Sequence, residues 1–459
     1  MIKDLTSGNP LKLVVLFAIP IFIGNIFQQL FQISDILIVG RLLGVNSLAA
    51  VGSSAPIFFM FLMIAFGFTA GLTIITAQRF GAKDEKGIKS SVFHSSLAAI
   101  ALSLLISIVL ILWLKPILRL MNVPETIMDE AYIFMLILGF SITPIVLYNL
   151  LSGFIRALGD SKTPLYFLIG SSILNIILNF VFIYYLNWGV AGSATGTFCS
   201  MSLSAVACLL VIAKKFPLLR LTLTDCHYNP KFMKEHLKVA IPMALQFSIL
   251  ALSMMIVQSV CNSFGTNVIA GFTAAMRIEQ ISTQPLFAIG IAFATFAAQN
   301  YGAALIRRIR QGVRQCLMAC LFLSIAISLI VRFYGANLVS VFIDEYDANI
   351  VEIGQSYLMI STYFYFCLSC IFVTRNALQG MGKTKIPLFS GVIELFIRAF
   401  AAIYLSGLIG YKGLFWAGPI AWLGGALVVC LGYVWIIAHL NPIKMRKIFL
   451  KTQSLRYRR

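Results

Sequence analysis

Long apolar segments recur along the chain from near residue 13 to residue 440, and they limit the possible folds more than any other feature. A helix needs about 20 apolar residues to cross a bilayer. The segments are continuous rather than alternating in polarity, which indicates helices and not strands. We therefore predict an all-α polytopic membrane protein with twelve transmembrane helices. The predicted spans are 14–38, 48–76, 92–114, 131–154, 164–186, 189–213, 238–263, 268–297, 315–333, 352–375, 386–409 and 412–439.

Charged residues make up only 11% of the 459 residues. Soluble domains carry roughly 25%. No interval between the predicted spans is long enough to form a separate soluble domain. These two observations exclude a cytosolic enzyme that is merely anchored to a membrane.

The basic residues fall mainly on one side of the predicted membrane. With the amino terminus inside, 28 of the 35 Lys and Arg residues lie in internal segments, five lie outside and two lie within spans. An internal excess of positive charge is the usual orientation signal of helical membrane proteins. We therefore expect both termini to be cytoplasmic, and the net charge of +19 to face lipid headgroups rather than nucleic acid.

The second half of the sequence repeats the first. Four short motifs recur at a nearly constant offset, and each half contains six predicted spans. Two six-helix lobes inserted with the same polarity form a parallel repeat, an arrangement found in secondary transporters. The recurring pairs are 18–20 with 240–242, 44–46 with 265–267, 78–82 with 299–303, and 159–164 with 382–387.

The repeat predicts four regions of the chain. An amino-terminal lobe covers 1–213, a cytoplasmic linker 214–237, a carboxyl-terminal lobe 238–440 and a basic cytoplasmic tail 441–459. Lobes of this kind alternate in exposing a site to the two sides of the membrane. The sequence has no P-loop, so direct hydrolysis of ATP is not indicated. We expect a monomer without a cofactor, surrounded by membrane lipids.

Polar residues form one face of the first predicted span. They follow each other at steps of three, four and three, which places them on the same side of a helix. A charged carboxylate at the centre of a span costs roughly 2.5–3.5 kcal/mol, so it is normally paired, hydrated or protonated. Span 7 has no acidic residue at the repeat position, so Asp35 is not required by packing that both halves share. The stripe consists of Asn25, Gln28, Gln32 and Asp35.

We predict that Asp35 couples ion movement to transport and that Gln28 and Gln32 line a substrate site with it. The alternative is a local pair between Asp35 and Arg41 near the outer end of the span. Asn175 and Asn179 lie one helical turn apart in span 5, and Thr197 in span 6 is close in sequence. For Asn175 and Thr197, hydrogen bonds that merely hold helices together are an equal alternative.

Several motifs resemble those of the multidrug and toxic compound extrusion (MATE) family, and the resemblance covers both halves of the chain. The motifs are DILIVGR at 35–41, LAAVG at 48–52, RALGD at 156–160, KTP at 162–164 and AQNYGA at 298–303. The resemblance implies an antiporter of a bacterial cytoplasmic (inner) membrane. It would expel small hydrophobic, often cationic compounds in exchange for inward H⁺ or Na⁺.

The resemblance also bears on the coupling ion. Asn175, Asn179 and Thr197 match a cation-linked polar cluster in the amino-terminal lobe of some MATE transporters, where the position of Asn179 is commonly an aspartate. With Asn179 neutral, a Na⁺ site here would have one carboxylate fewer, whereas a single-proton site on Asp35 is retained. Amide and hydroxyl oxygens remain suitable Na⁺ ligands. Another branch places Na⁺-binding acids in spans 7 and 10, but here only Glu352 begins span 10.

Two further acidic residues lie within predicted spans. Glu279 in span 8 is predicted to attract a cationic substrate, with a structural pair to another helix as the alternative. Glu394 and Arg398 in span 11 are four residues apart, which predicts a structural ion pair along the helix. Asn149 in span 4 is a further predicted substrate contact.

Three function classes compete for these observations. A drug/ion antiporter accounts for the internal repeat and for the Asp35 carboxylate within the first predicted span. A flippase for lipid-linked saccharides can share this kind of fold, but the spans offer only Arg277 and Arg398 to bind a pyrophosphate. A membrane-embedded enzyme would need a catalytic constellation, and the four histidines lie near helix ends or in loops without a metal-binding spacing.

Overall fold

The structure is a computed structural model that describes residues 3–121, 123–343 and 347–440. The described residues form thirteen α-helices and no strand. A single π-helical turn, Val181–Tyr185, extends α5. In chain order the helices are α1 Pro10–Leu43, α2 Val45–Gly81, α3 Glu85–Leu120, α4 Glu125–Ala157, α5 Lys162–Phe180, α6 Gly189–Lys215, α7 Pro230–Asn262, α8 Thr266–Gly302, α9 Ile306–Ser340, α10 Ala348–Thr362, α11 Tyr365–Gly380, α12 Lys385–Ile409 and α13 Tyr411–His439.

Eleven helices in the described part of the chain are long and apolar enough to cross a membrane. Helices α10 and α11 meet at a bend of 53°, and the pair covers the predicted run 352–375; counted as one bent span, it brings the number to twelve. Large apolar side chains such as Leu112, Phe333 and Leu431 are exposed, as expected of surfaces that face lipid tails rather than water. The prediction of an all-helical membrane protein is confirmed, and the predicted number of twelve spans lies within the eleven or twelve that the described helices supply.

The turns between helices repeat with the helices. Glycines in a left-handed backbone conformation precede α2 and α8, because the chain reverses there with φ of 86° at Gly44 and 87° at Gly265. Helices α2 and α8 both contain 37 residues. After them, Lys83 and Ala304 adopt positive φ, and they are as far apart in the chain as the two glycines. The internal repeat therefore extends from the sequence motifs to the backbone geometry of the turns.

Contacts divide the chain into two compact units, and the boundaries fall inside helices. Of the described residues, the first unit contains those from Ile23 to Ser248 and those up to Asp4, and the second contains Leu5–Phe22 and those from Ile249 onward. The first half of α1 therefore belongs to the second unit and its second half to the first unit. For α7 the assignment is the reverse. Pro20 in α1 and Pro242 in α7 lie shortly before the two boundaries. The lobes predicted at 1–213 and 238–440 remain a prediction about the sequence repeat.

Within the first unit, the predicted linker 214–237 is tied to α2 and α3. Arg79 donates two hydrogen bonds of 3.0 Å to the Glu235 carboxylate, and Lys89 contacts Asp225 at 2.9 Å. Hydrogen bonds from Thr222 and Lys89 lower the pKa of Asp225 to about 2. His94 accepts a hydrogen bond from the backbone N–H of Asn229. The predicted tail 441–459 lies outside the described residues.

Candidate functional site

Asp35 lies in the second half of α1 and contacts α5 and α6 within the first unit. Its Oδ1 accepts a hydrogen bond from Asn179 Nδ2 at 2.5 Å and another from Ser193 Oγ at 2.8 Å. Both partners are neutral. Arg41 is exposed, and among the described residues neither it nor any other basic side chain forms an ion pair with Asp35. Within the described part of the chain, the Asp35 carboxylate is therefore held by neutral hydrogen-bond donors and by no positive charge.

A chain of amide and hydroxyl groups continues from Asp35. Asn179 Nδ2 also donates to Asn175 Oδ1 at 3.0 Å, and Asn175 Nδ2 donates to Thr197 Oγ1 at 3.2 Å and to Ser200 Oγ at 3.4 Å. Both asparagines are fully buried. The predicted ion-coupling residues thus meet in one polar cluster between α1, α5 and α6, which we call the Asp35 cluster: Asp35, Asn175, Asn179, Ser193, Thr197 and Ser200.

One acceptor in the Asp35 cluster has no partner among the described residues. The carbonyl oxygen of Asn179, Oδ1, is buried without a hydrogen bond and lies directly against Gly196 of α6. A Cβ atom at position 196 would overlap this oxygen, so glycine is required for the close approach of α5 and α6. Buried polar atoms are nearly always hydrogen-bonded, and an exception calls for an explanation such as a water molecule or an ion at that point.

The other residues predicted on α1 and α4 lie apart from these bonds. Gln32 and Gln28 are exposed on α1, one and two turns before Asp35. Asn149 of α4 is partly buried, and in the described ranges no hydrogen bond joins it to the Asp35 cluster. Tyr148 beside it donates to the carbonyl oxygen of Pro164 at 3.2 Å and so links α4 to α5.

Glu279 of α8 lies in the second unit and is buried. Its Oε2 accepts a hydrogen bond from Tyr357 of α10 at 2.7 Å. The Arg398 guanidinium of α12 is close enough to act on Glu279 electrostatically. The second unit therefore also contains a carboxylate among its helices, and this one is buried and has a cation nearby. The same offset that relates Gly159 to Gly382 relates Asn175 of the first unit to Arg398 of the second.

Glu394 has a different partner from the one that helical spacing predicts. Its Oε1 forms an ion pair with Arg375 of the neighbouring α11 and accepts a hydrogen bond from Ser390 at 3.0 Å. Arg398 instead donates Nη1 to Ser253 of α7 at 3.1 Å. Arg375 therefore reaches the Glu394 carboxylate from an adjacent helix, whereas Arg398 acts on Glu394 electrostatically and forms its hydrogen bond with Ser253.

Sequence reasoning missed several polar partners. Ser193 and Ser200 belong to the Asp35 cluster, and Tyr357 and Arg375 bind the two acids of the second unit. The spacing of Ser193, Thr197 and Ser200 at steps of four and three was a usable signal, since it places them on one face of α6. No comparable spacing pointed to Tyr357 or Arg375. Within the described ranges, no group of three or more His, Cys, Asp or Glu side chains is suited to hold a metal ion.

These features define a class of protein. A helical membrane protein with a repeated set of helices and turns, and with polar groups buried within its spans, has the organisation of a secondary transporter. The MatE family matches residues 20–181 and 242–423, which is most of the chain. The chain therefore belongs to the MATE family, whose members are efflux transporters and not enzymes.

Relatives of known sequence agree with this assignment. The "Probable multidrug resistance protein YpnP" of Bacillus subtilis (strain 168) is 32% identical over 415 residues, which cover 90% of this chain and 92% of the relative. The "Probable multidrug resistance protein NorM" of Thermotoga maritima is 24% identical, with 89% of each chain covered.

Solved structures share the fold. One described as "Crystal structure of MATE in the bent conformation" superimposes with a TM-score of 0.88 at 24% identity, over 97% of this chain and 98% of the other. An "Outward-facing conformation of a multidrug resistance MATE family transporter of the MOP superfamily" also gives 0.88 at 24% identity, over 95% and 97% of the two chains. At this identity the likeness establishes the fold alone.

Proposed function

We propose that this transporter expels small hydrophobic, often cationic compounds in exchange for inward H⁺ by alternating access, with Asp35 as the coupling carboxylate. The observation that carries the proposal is the environment of Asp35: two neutral donors hold its Oδ1, and no cation of the described residues pairs with it. Such a carboxylate is costly to keep charged within a span. A proton or a cationic compound would relieve this cost, and the two would therefore compete for Asp35.

The orientation of the Asn179 amide supports a role in proton transfer. When Asp35 is ionised, Asn179 Nδ2 donates to it, and Asn179 Oδ1 has no partner in the described part of the chain. Protonation turns the carboxyl group into a donor. Rotation of the amide would then let Asn179 Oδ1 accept the new O–H. This rotation would exchange the bond from Asn179 Nδ2 to Asn175 Oδ1 for a bond from the protonated carboxyl group to Asn179 Oδ1.

Na⁺ is the alternative coupling ion at the same residues. The Asp35 cluster offers one carboxylate with the amide oxygens of Asn175 and Asn179 and the hydroxyl of Thr197, and hard cations favour such oxygen ligands. A single carboxylate would have to neutralise the ion, because the position of Asn179 is not acidic. This argument favours H⁺.

Substrate contacts are proposed at Gln28, Gln32 and Asp35 on one side of α1, and at Asn149. Gln28 and Gln32 are exposed and leave their amide groups available. Glu279 is the proposed acidic contact in the second unit, where Tyr357 orients its carboxylate. The relatives from Bacillus subtilis and Thermotoga maritima are both named as probable multidrug resistance proteins, which supports this substrate class.

The proposed location is the bacterial cytoplasmic membrane, with both termini on the cytoplasmic side. The distribution of 28 Lys and Arg residues inside against five outside supports this orientation.

The test is drug-triggered proton movement in sealed, energised inside-out vesicles that contain the purified protein. Addition of a lipophilic cation should dissipate the pH gradient without Na⁺. We expect Asp35→Asn to lower this response at least about tenfold, because the neutral amide cannot take up the proton. Asp129→Asn, which removes an exposed acid at the start of α4, is the matched control and should respond like wild type.

Each other outcome changes the proposal in a defined way. A response that requires a Na⁺ gradient would replace H⁺ by Na⁺ and leave the exporter intact. A full response from Asp35→Asn would remove Asp35 from the mechanism. If no lipophilic cation from a broad panel produces counterflow with either ion, drug export is contradicted, and transport of lipid-linked saccharides becomes the hypothesis to test.

A further inference from the structure

A cavity of about 510 Å³ lies in the second unit, between the start of α1 and one face of α9. It is outside the Asp35 cluster and contains none of the residues proposed to bind substrate. The backbone N–H of Leu11 donates to Gln315 Oε1 at 3.2 Å, which holds the beginning of α1 against α9. The lining residues that matter here are Asn9, Gln311, Arg314, Gln315, Met318 and Phe322.

The lining of this cavity changes from polar to apolar along α9. Gln311, Arg314 and Gln315 lie toward the beginning of the helix, and Met318 and Phe322 follow one and two turns later. Met318 is 53% exposed and Phe322 is 66% exposed. The apolar end leads into a row of exposed side chains on the same helix, Ile325, Leu329 and Phe333. In a membrane-spanning helix, such a row faces acyl chains.

The polar end of the cavity carries an unbalanced positive charge. Arg314 is exposed and has no hydrogen bond or ion pair among the described residues. Two neighbouring arginines are engaged elsewhere: Arg308 donates to Asn300, and Arg310 donates to the carbonyl oxygen of Ile437. No acidic side chain of the described ranges lines the cavity. An anion is therefore the ligand that Arg314 and the adjacent amides fit.

We propose that this cavity binds an anionic phospholipid. The phosphodiester of the headgroup contacts Arg314 with the amide groups of Gln311 and Asn9, and an acyl chain lies along Met318 and Phe322. Basic pockets at the cytoplasmic ends of transmembrane helices bind anionic headgroups in this way. Arginine suits the site because its guanidinium presents several donors to a phosphate.

The charge of residues 441–459 argues against this segment as the occupant of the cavity. Residues 441–459 contain seven Lys and Arg residues and no Asp or Glu. A segment of this composition would be repelled by Arg314. The exposed apolar row distinguishes a lipid from a free phosphate, because only a lipid uses both ends of the cavity.

The test compares lipid binding by the full-length protein purified in a zwitterionic detergent, measured by native mass spectrometry. The probes are phosphatidylglycerol and phosphatidylcholine with identical acyl chains. We expect Arg314→Ala to weaken phosphatidylglycerol binding about fivefold, the change expected for one basic residue near the headgroups. Arg307→Ala is the matched control, because it removes the same charge from an exposed position on α9 outside the cavity. It should weaken binding less than about twofold.

A second measurement locates the lipid. The indole introduced by Phe322→Trp should be quenched more strongly by brominated phosphatidylglycerol than by brominated phosphatidylcholine, and inorganic phosphate in excess should not reverse the quenching. Equal losses in Arg314→Ala and Arg307→Ala would overturn the proposal, as would equal quenching by both lipids. Displacement by inorganic phosphate would overturn it too, since it would show an anion site that does not select a lipid. Arg314 is exposed, so both arginine variants should keep the melting temperature of wild type in the absence of lipid.

Discussion

Asn179 connects three helices of the first unit through one side chain. Its Nδ2 donates to Asp35 of α1 and to Asn175 one turn away on α5, while its Oδ1 lies against Gly196 of α6. A carboxylate in this position would place two negative charges next to each other. The neutral amide instead leaves Asp35 as the only acid in the Asp35 cluster. The identity of this one residue therefore bears directly on which ion the site would carry.

Gly196→Ala tests how tightly the Asp35 cluster is packed. The new Cβ would overlap Asn179 Oδ1, so Asn179 would have to move away from Asp35. We expect the free energy of unfolding to fall by about 1–3 kcal/mol, as for other overpacked sites. Ion-coupled transport in vesicles should fall with it. Unfolding in a denaturing detergent titration and the vesicle assay measure the two effects.

Gly170→Ala on α5 is the matched control for this change. A Cβ atom there meets no atom within 4 Å. Alanine is favoured over glycine within a helix, so the free energy of unfolding should stay constant or rise by roughly 0.5–1 kcal/mol. If Gly196→Ala is as stable and as active as Gly170→Ala, the close contact between Asn179 and α6 is not important for the site.

At the scale of elements, a bend of 53° between α10 and α11 interrupts the helical hydrogen-bond pattern. Backbone groups that leave the helical pattern need other partners there. Ser328 of α9 donates to the carbonyl oxygen of Thr362 at 2.9 Å, and Arg332 donates to the carbonyl oxygen of Met359 at 3.3 Å. The Arg332 guanidinium also lies 3.7 Å from the ring centroid of Tyr363. Helix α9 thus supplies the missing partners from its own side chains.

Arg332→Ala should destabilise this bend. We expect a loss of about 1–2 kcal/mol in the free energy of unfolding, because a charged hydrogen bond and a cation–π contact are removed together. Arg332→Lys should recover part of the loss, since it keeps the charge but not the planar fork of donors. Arg119→Ala removes an exposed arginine at the end of α3 and should be neutral. Equal melting temperatures for Arg332→Ala and Arg119→Ala would contradict this account of the bend.

At the scale of the whole molecule, the repeat is preserved in length and in turn geometry but not in charge. The paired glycines Gly159 and Gly382 both have positive φ, as do Gly189 and Gly410. The acid Asp35, by contrast, has no acidic counterpart in α7. Shared elements therefore serve the architecture, and the residues that differ between the halves are the ones proposed to bind ions and substrate.

The orientation of the molecule can be tested at one native thiol. Cys226 lies in the linker and is exposed, whereas the other eight cysteines are buried or partly buried. If the linker is cytoplasmic, a membrane-impermeant maleimide should label Cys226 in permeabilised cells and not in intact cells. In a Cys226→Ser background, Val45→Cys at the start of α2 should show the opposite pattern, because Val45 is 81% exposed and is predicted to be outside. Labelling of Cys226 in intact cells would reverse the proposed topology.

Much of the fold was predictable because membrane insertion depends on local properties of the chain. Apolar length determined the spans, and the near-constant offset between the repeated motifs predicted matching helices such as α2 and α8. The helical period of about 3.6 residues also placed the polar stripe of α1 on one face. The bend at the tenth span was not predicted, since the apolar run continues through it.

The sequence by itself determined where the apolar spans lie and which of their residues are too polar to face lipid. Only the tertiary structure decided the partners of those residues: Asp35 with Ser193, and Glu394 with Arg375 rather than Arg398. It also assigned the two halves of α1 and of α7 to different units. The physical reason is that spacing along one helix specifies a face, whereas a hydrogen bond or an ion pair depends on which other helix packs against that face.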